Sequence, residues 1–175
     1  TITTQNLVTH ADDATLGNGT DEATEPMFLG ANTATAMSLN GSTQSVQIGI
    51  GPGGFLGVGD FTFETWIKLD SIGGVQTIVD TRNSAYDAGA AIGVSANGTL
   101  TSTFSDTSST AGLGIDGSTV LSVGQWYHVA FVADRDGSGT LYLNGDTEGS
   151  ADISSLSGDM LPTDSFHVGV NNTGA

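Results

Sequence analysis

The chain of 175 residues carries 19 Asp and Glu against 3 Lys and Arg, a formal net charge of −16, and no cysteine. That imbalance excludes a nucleic-acid binder, which needs a track of cations for the phosphates, and it disfavours docking on anionic lipid. The missing thiols exclude disulfides, thiolate metal sites and cysteine nucleophiles.

The length suits one domain. With only 13% charged residues, the polar surface has to come from 24 Thr, 18 Ser and 26 Gly, which favour strands and turns over helices. The longest purely apolar run, residues 129–133, is far too short to span a bilayer. The start, Thr-Ile-Thr-Thr-Gln, has neither the basic segment nor the apolar core of an export signal.

Residues 1–35 read as an extended N-terminal arm. Asp12, Asp13, Asp21, Glu22 and Glu25 stand there without a cation, and the apolar anchor Met27-Phe28-Leu29 is expected to contact another subunit. From residue 36 the pattern changes. Met37, Leu39, Val46 and Ile48 sit on two short segments divided by the turn signal Asn40-Gly41-Ser42. Gly51-Pro52-Gly53-Gly54 then breaks the chain before a clear strand over residues 61–69. Period-two alternation places Phe61, Phe63, Thr65, Ile67 and Leu69 on its core face, and Thr62, Glu64, Trp66 and Lys68 on the other.

Further strands are predicted over 75–80, 90–94 and 99–104, the last two joined by the hairpin signal Asn97-Gly98. Residues 105–118, rich in Ser, Thr, Gly and Asp, read as a loop. Residues 125–134 form the next strand, with Tyr127, Val129, Phe131 and Ala133 on one face and Trp126, His128, Ala130 and Val132 on the other. Asp136-Gly137-Ser138-Gly139 turns it back into a strand over 140–144. Residues 152–156 can make one short turn, and 165–170 is the last strand. Short strands with turn signals every ~8–12 residues make an all-β antiparallel sandwich, a jelly roll.

Four strings carry a family resemblance. Ala36-Met37-Ser38-Leu39-Asn40-Gly41-Ser42 with Val46-Gln47-Ile48 resembles the opening hairpin of the laminin-G-like, concanavalin-A-like jelly rolls. Phe61-Thr62-Phe63-Glu64-Thr65-Trp66-Ile67-Lys68 is similar to their aromatic strand with an outward Trp. Gly124-Gln125-Trp126-Tyr127-His128-Val129-Ala130 and Gly139-Thr140-Leu141-Tyr142-Leu143-Asn144-Gly145 resemble their paired central strands. The resemblance implies a β-sandwich over residues 36–175, preceded by the arm of 1–35. The family usually ends on a strand of the type Gly-x-Ile-Asp-x-Val-x-Ile, and this chain lacks that string. The open edge so left is expected to be covered by the arm or by a neighbouring subunit. The fold hosts lectins, adhesion modules, virion proteins and glycan-cleaving enzymes alike, so function has to be argued from the site.

A glycan-cleaving enzyme needs two carboxylates about 5–10 Å apart over a groove. The Glu-x-Asp-x-x-Glu strand of the related glucanases is absent, and the nearest pair is Asp60 with Glu64, so no enzyme is expected. Trp66, Trp126, His128 and Tyr142 are the candidate glycan-binding residues, because aromatic faces stack on sugar rings. The sequence requires no cofactor. Calcium is the candidate one, at Asp134 and Asp136, where a turn offers two carboxylates and backbone carbonyls.

These features are those of a non-catalytic structural or binding module. The expected role is a surface-displayed decoration or fibre-type component of a virion or surface layer. Its partners would be copies of itself or other structural subunits, with glycans as further contacts and with neither nucleic acid nor membrane insertion. The alternative is a carbohydrate-binding or adhesion domain of a long secreted cell-surface protein. A virion or an extracellular surface is the expected location in either case.

Overall fold

The computed structural model describes residues 14–16, 21–23, 36–41, 44–48, 56–82, 88–108, 112–160 and 166–171, and among them there is no helix. The described strands, in chain order, are β1 (Ala14–Leu16), β2 (Asp21–Ala23), β3 (Ala36–Ser38), β4 (Val46–Ile48) and β5 (Phe61–Lys68). Then come β6 (Gln76–Asp80), β7 (Gly89–Val94), β8 (Thr99–Ser105), β9 (Leu113–Val120), β10 (Trp126–Ala133), β11 (Ser138–Leu143), β12 (Asp146–Asp152) and β13 (Phe166–Val168). One sheet has the order β1-β4-β13-β6-β7-β8-β9, a second β12-β11-β10-β5, and β2 pairs with β3; every pairing is antiparallel.

Alternation decides which sides meet. Along β5, Phe61, Phe63, Thr65 and Ile67 are partly buried while Thr62, Glu64 and Trp66 are exposed, as the sequence predicts. On β10, Val129, Phe131 and Ala133 face the same core, and across it the Phe131 and Phe104 rings stack with centroids 4.4 Å apart. Leu100, Leu121, Leu141, Ile153 and Met160 complete a core that draws on both sheets. Burying side chains of this size supplies about 1.5–3 kcal/mol each.

Three expectations need correction. Residues 105–118 are not one loop, because β9 begins at Leu113 and pairs with β8. Only Leu113 and Ile115 mark its core side, and Gly117, Ser118 and Thr119 follow, so the alternation fades before it can be recognised. Second, the two segments around Asn40-Gly41-Ser42 do not form a hairpin. β3 pairs with β2, and β4 lies between β1 and β13. Third, β12 had no expected counterpart. Its seven residues offer one apolar side chain, Ala151, and it is held by the β11 ladder after a tight turn with Asn144 at φ 53° and Gly145 at φ 93°.

The edges β12 and β9 close one side of the sandwich. A Cβ on Gly149 would stand 2.6 Å from the Asp116 carbonyl oxygen, so only glycine permits that approach. Beside it the Glu148 carboxylate accepts from the backbone N–H of Ser118 and Thr119 at 3.0 and 2.9 Å, and from the Thr119 hydroxyl at 2.7 Å.

At the end of the sandwich where β5 begins and β10 finishes, one buried cation joins four segments. Arg135 is 5% exposed. Its Nε donates to the Leu156 carbonyl at 3.1 Å, and its Nη2 donates to the same carbonyl and to that of Gly158 at 2.7 Å. Nη1 donates to the Gly57 carbonyl at 3.4 Å. The carboxylate of fully buried Asp106 lies 3.8 Å from Nη2 and accepts from Ser108 and from the Gly158 N–H. The Arg135 backbone N–H donates to Asp60 at 2.8 Å.

Two predictions follow from these contacts. Arg135→Ala leaves Asp106 buried without its counter-charge and three carbonyls without their donor, and should lower the unfolding free energy by about 3–5 kcal/mol in a denaturant titration. Arg135→Lys should recover little of it, since one ammonium cannot serve three divergent carbonyls. The second concerns acid. Burial opposes ionisation of Glu148, but the hydrogen bonds from Thr119 and Ser118 outweigh it and hold the carboxyl below its ordinary 4.5. A carboxylate with a lowered folded pKa stabilises the fold above its unfolded value and loses that contribution as pH falls through the folded one. The Tm difference between wild type and Glu148→Gln should therefore be largest near neutrality and should vanish in acid below 4.5.

Candidate functional site

The outer face of the β12-β11-β10-β5 sheet gathers most of the exposed aromatic surface. Register sets this directly, because residues opposite each other on antiparallel strands project to the same side. Lys68 faces Trp126, Trp66 faces His128, and Glu64 faces Ala130, which in turn faces Tyr142 on β11 and then Thr147 on β12. All four aromatic and imidazole residues expected from the sequence, Trp66, Trp126, His128 and Tyr142, thus share one face.

The neighbours are in contact. The Trp66 and His128 rings are tilted against each other with centroids 5.4 Å apart, and Trp66 remains 50% exposed. The Lys68 ammonium lies over the Trp126 ring, 5.1 Å from its centroid. His128 Nε2 is 3.6 Å from a Glu64 carboxylate oxygen. The backbone of His128 is pinned by Asn144, whose Oδ1 accepts from the His128 N–H at 3.0 Å while its own N–H donates to the His128 carbonyl at 2.8 Å. In the centre Ala130, opposite Glu64 on one side and Tyr142 on the other, is buried.

The face thus offers an exposed indole plane, a second indole under a cation, a phenol, a carboxylate acceptor and an imidazole. Glu64 and Lys68 belong to it although neither was among the glycan-binding candidates taken from the sequence. The signal that could have placed them was the alternation of β5, which puts both on the Trp66 side. Asn144 gave no such signal, since its role comes from a turn.

The arrangement does not provide a pair of catalytic carboxylates. Asp60 is at the end of the sandwich, accepting from the Arg135 N–H. Asp152, also on the outer face, stands three strands across and four residues along from Glu64, roughly 20 Å away. Glycoside cleavage needs about 5–10 Å.

Asp134 and Asp136 lie on the β10–β11 turn and, with Asp152, line a shallow depression. Asp134 accepts from the Asp136 N–H at 3.3 Å, and Asp152 accepts from the Ser154 hydroxyl at 2.6 Å and its N–H at 2.9 Å. Among the described residues no three Asp, Glu or His side chains converge as a metal site would require. Met27, Phe28 and Leu29 lie outside the described residues.

A different kind of depression, of about 420 Å³, opens between β5 and the β6–β13 side of the other sheet. It is lined mainly by apolar side chains such as Ile67, Leu69, Ile78, Phe166 and Val168. Glu64, Thr65, Lys68, Gln76 and Thr77 add polar groups to the same lining.

Residues 40–175 match the family model described as the concanavalin A-like lectin/glucanases superfamily. No curated protein matches the chain. Among solved structures it is similar to the binding domain of Paraclostridial Mosquitocidal Protein 1, with a TM-score of 0.73 and 18% identity over 90% of this chain and 39% of that one. The binding domain of botulinum neurotoxin serotype G gives 0.70 and 15% over 90% and 38%. The ligand-binding domain of botulinum neurotoxin serotype D, solved with N-acetylneuraminic acid, gives 0.68 and 18% over 90% and 38%. The chain thus spans about two fifths of the length of these structures, and at such identities they bear on the fold.

If the aromatic residues of this face do not hold the fold, Trp66→Ala should leave the unfolding free energy within about 0.5 kcal/mol of wild type. Phe131→Ala on the inner side of the same sheet should cost about 3–5 kcal/mol. Parallel denaturant titrations compare the two.

Proposed function

The chain belongs to the concanavalin A-like lectin/glucanases superfamily, and we propose that it is a non-catalytic glycan-binding module whose site is the outer face of the four-stranded sheet. The observation that carries this reading is that Trp66, His128, Tyr142 and Glu64 share one solvated sheet face, with Trp66 against His128 and His128 beside Glu64. A pyranose ring has one apolar face of C–H groups and a rim of hydroxyls. The exposed Trp66 indole suits the first, and the carboxylate of Glu64, the Tyr142 hydroxyl and the Lys68 ammonium suit the second.

Two further points support the proposal. The similar ligand-binding domain of botulinum neurotoxin serotype D, of which this chain covers 38%, was solved with N-acetylneuraminic acid. The absence of a second carboxylate within cleavage distance of Glu64, among the described residues, favours retention of the glycan over hydrolysis. A glycan partner places the module at a cell surface or in the extracellular space. No described helix is long and apolar enough to cross a membrane. The reading requires no metal, and a role within a virion or surface layer would rest on Met27, Phe28 and Leu29.

A glycan array probed with the full chain, followed by calorimetric titration of the best retained sugar, tests the proposal. Trp66→Ala should weaken binding by about tenfold or more, equal to about 1.4 kcal/mol, with an unchanged melting temperature. Failure to retain any glycan, or full affinity in Trp66→Ala, would overturn it.

A further inference from the structure

The four-stranded sheet ends on β5, which pairs, among the described residues, with β10 alone. Backbone groups along a strand point alternately to its two sides. Leu69, just past β5, turns its carbonyl to the Gly124 N–H beside β10. His128, opposite Trp66, turns its own backbone away from β5, to Asn144 on the β11 side. Ile67, Thr65 and Phe63 therefore bond to Tyr127, Val129 and Phe131, and the N–H and C=O groups of Thr62, Glu64, Trp66 and Lys68 point out from the sheet. Along that row the Thr65 hydroxyl reaches the Trp66 carbonyl at 3.4 Å. The rest of the row has no partner among the described residues. Such a row is a template for another strand.

Beside the row lies the depression of about 420 Å³. Glu64 and Lys68, from the outer face of β5, border it together with Thr65 and Ile67 from the inner face. A hollow bordered by both faces of one strand opens at that strand's edge, because elsewhere the neighbouring strand separates the two sides. The other sheet lines it with Ile78, Phe166 and Val168. β3 adds Met37 to the lining, yet it bonds to β2 and not to β5.

We infer that this edge takes an extended segment of another polypeptide, basic and alternately aliphatic, as an added strand. The outward N–H and C=O groups require a backbone in the extended state. A strand laid there sends every second side chain toward the apolar depression and the others to the outer face. On the outer face it meets Glu64, whose matching cross-strand neighbour is a lysine or arginine. The net charge of −16 steers a cationic segment toward the chain. A second copy would instead bring its own −16 to the same edge, which opposes that pairing.

Fluorescence anisotropy of the full chain tests this, with a labelled short peptide that has valine at alternate positions and lysine and threonine between. The alternating peptide should bind about tenfold tighter than its isomer with the valines grouped, at physiological salt. N-methylating its backbone should weaken it about as much, by removing the ladder donors. In hydrogen exchange read by NMR, the amides of Thr62, Glu64, Trp66 and Lys68 should exchange fast in the free chain and slow about tenfold with peptide, while Thr65 and Ile67 stay slow in both. Met37→Lys with Val75→Lys should weaken the peptide about tenfold with an unchanged melt, because both side chains line the depression and are exposed. No binding of the alternating peptide, equal binding of the two isomers, or binding without the alternating protection would overturn the inference. So would protection of those four amides in the free chain, whether native mass shows a monomer or a dimer. The inference is independent of the glycan reading. Trp66→Ala keeps the backbone row and should hold peptide affinity within about fivefold, and the double lysine variant should keep its affinity for a soluble glycan.

Discussion

A single buried guanidinium holds the acidic end of this sandwich together. Arg135 sits on the turn that leaves β10, and its donors reach carbonyls before β5 and after β12, while Asp106 follows β8. Two sheets meeting face to face are held mainly by apolar contact, which is not directional. Loops need a directional lock, because their backbone groups lose water without gaining a ladder. Arg135 provides one by serving three carbonyls from one rigid plane. In a chain with three cations, that use leaves little positive charge for the surface.

The other two cations show how scarce charge is distributed. Arg82 is bound to fully buried Asp80, its Nη2 2.7 Å from the carboxylate. Lys68 alone is set over an indole, on the face that gathers the aromatic side chains. Structural and surface roles are thus divided between residues that a charge count cannot tell apart. The carboxylates are divided in the same way. Asp106 and Glu148 accept backbone N–H groups and close loops or sheet edges, whereas Glu64 stays on the outer face beside His128.

The aromatic face has an architectural cause. A flat antiparallel sheet offers one solvated side, and there every second residue of β5 and β10 is available for recognition without disturbing the core.

Much of the fold was legible from local pattern. β5 and β10 alternate apolar and polar residues so strongly that their core and outer faces were readable, and with them the shared side of Trp66, Trp126 and His128. The β7–β8 hairpin was readable from Asn97-Gly98. β9 and β12 were not, because Ser, Thr and Gly fill them and their strand state depends on a neighbouring ladder rather than on their own periodicity. The separate fates of β3 and β4 were hidden for the same reason, since a short segment does not encode which edge it joins. Composition and alternation, which are properties of the chain alone, determined that this is an acidic all-β sandwich with aromatic residues turned outward. Register between strands and the capture of Arg135 were decided only by tertiary structure. Each of them depends on distances between residues far apart in sequence, and the packing of two sheets sets those distances.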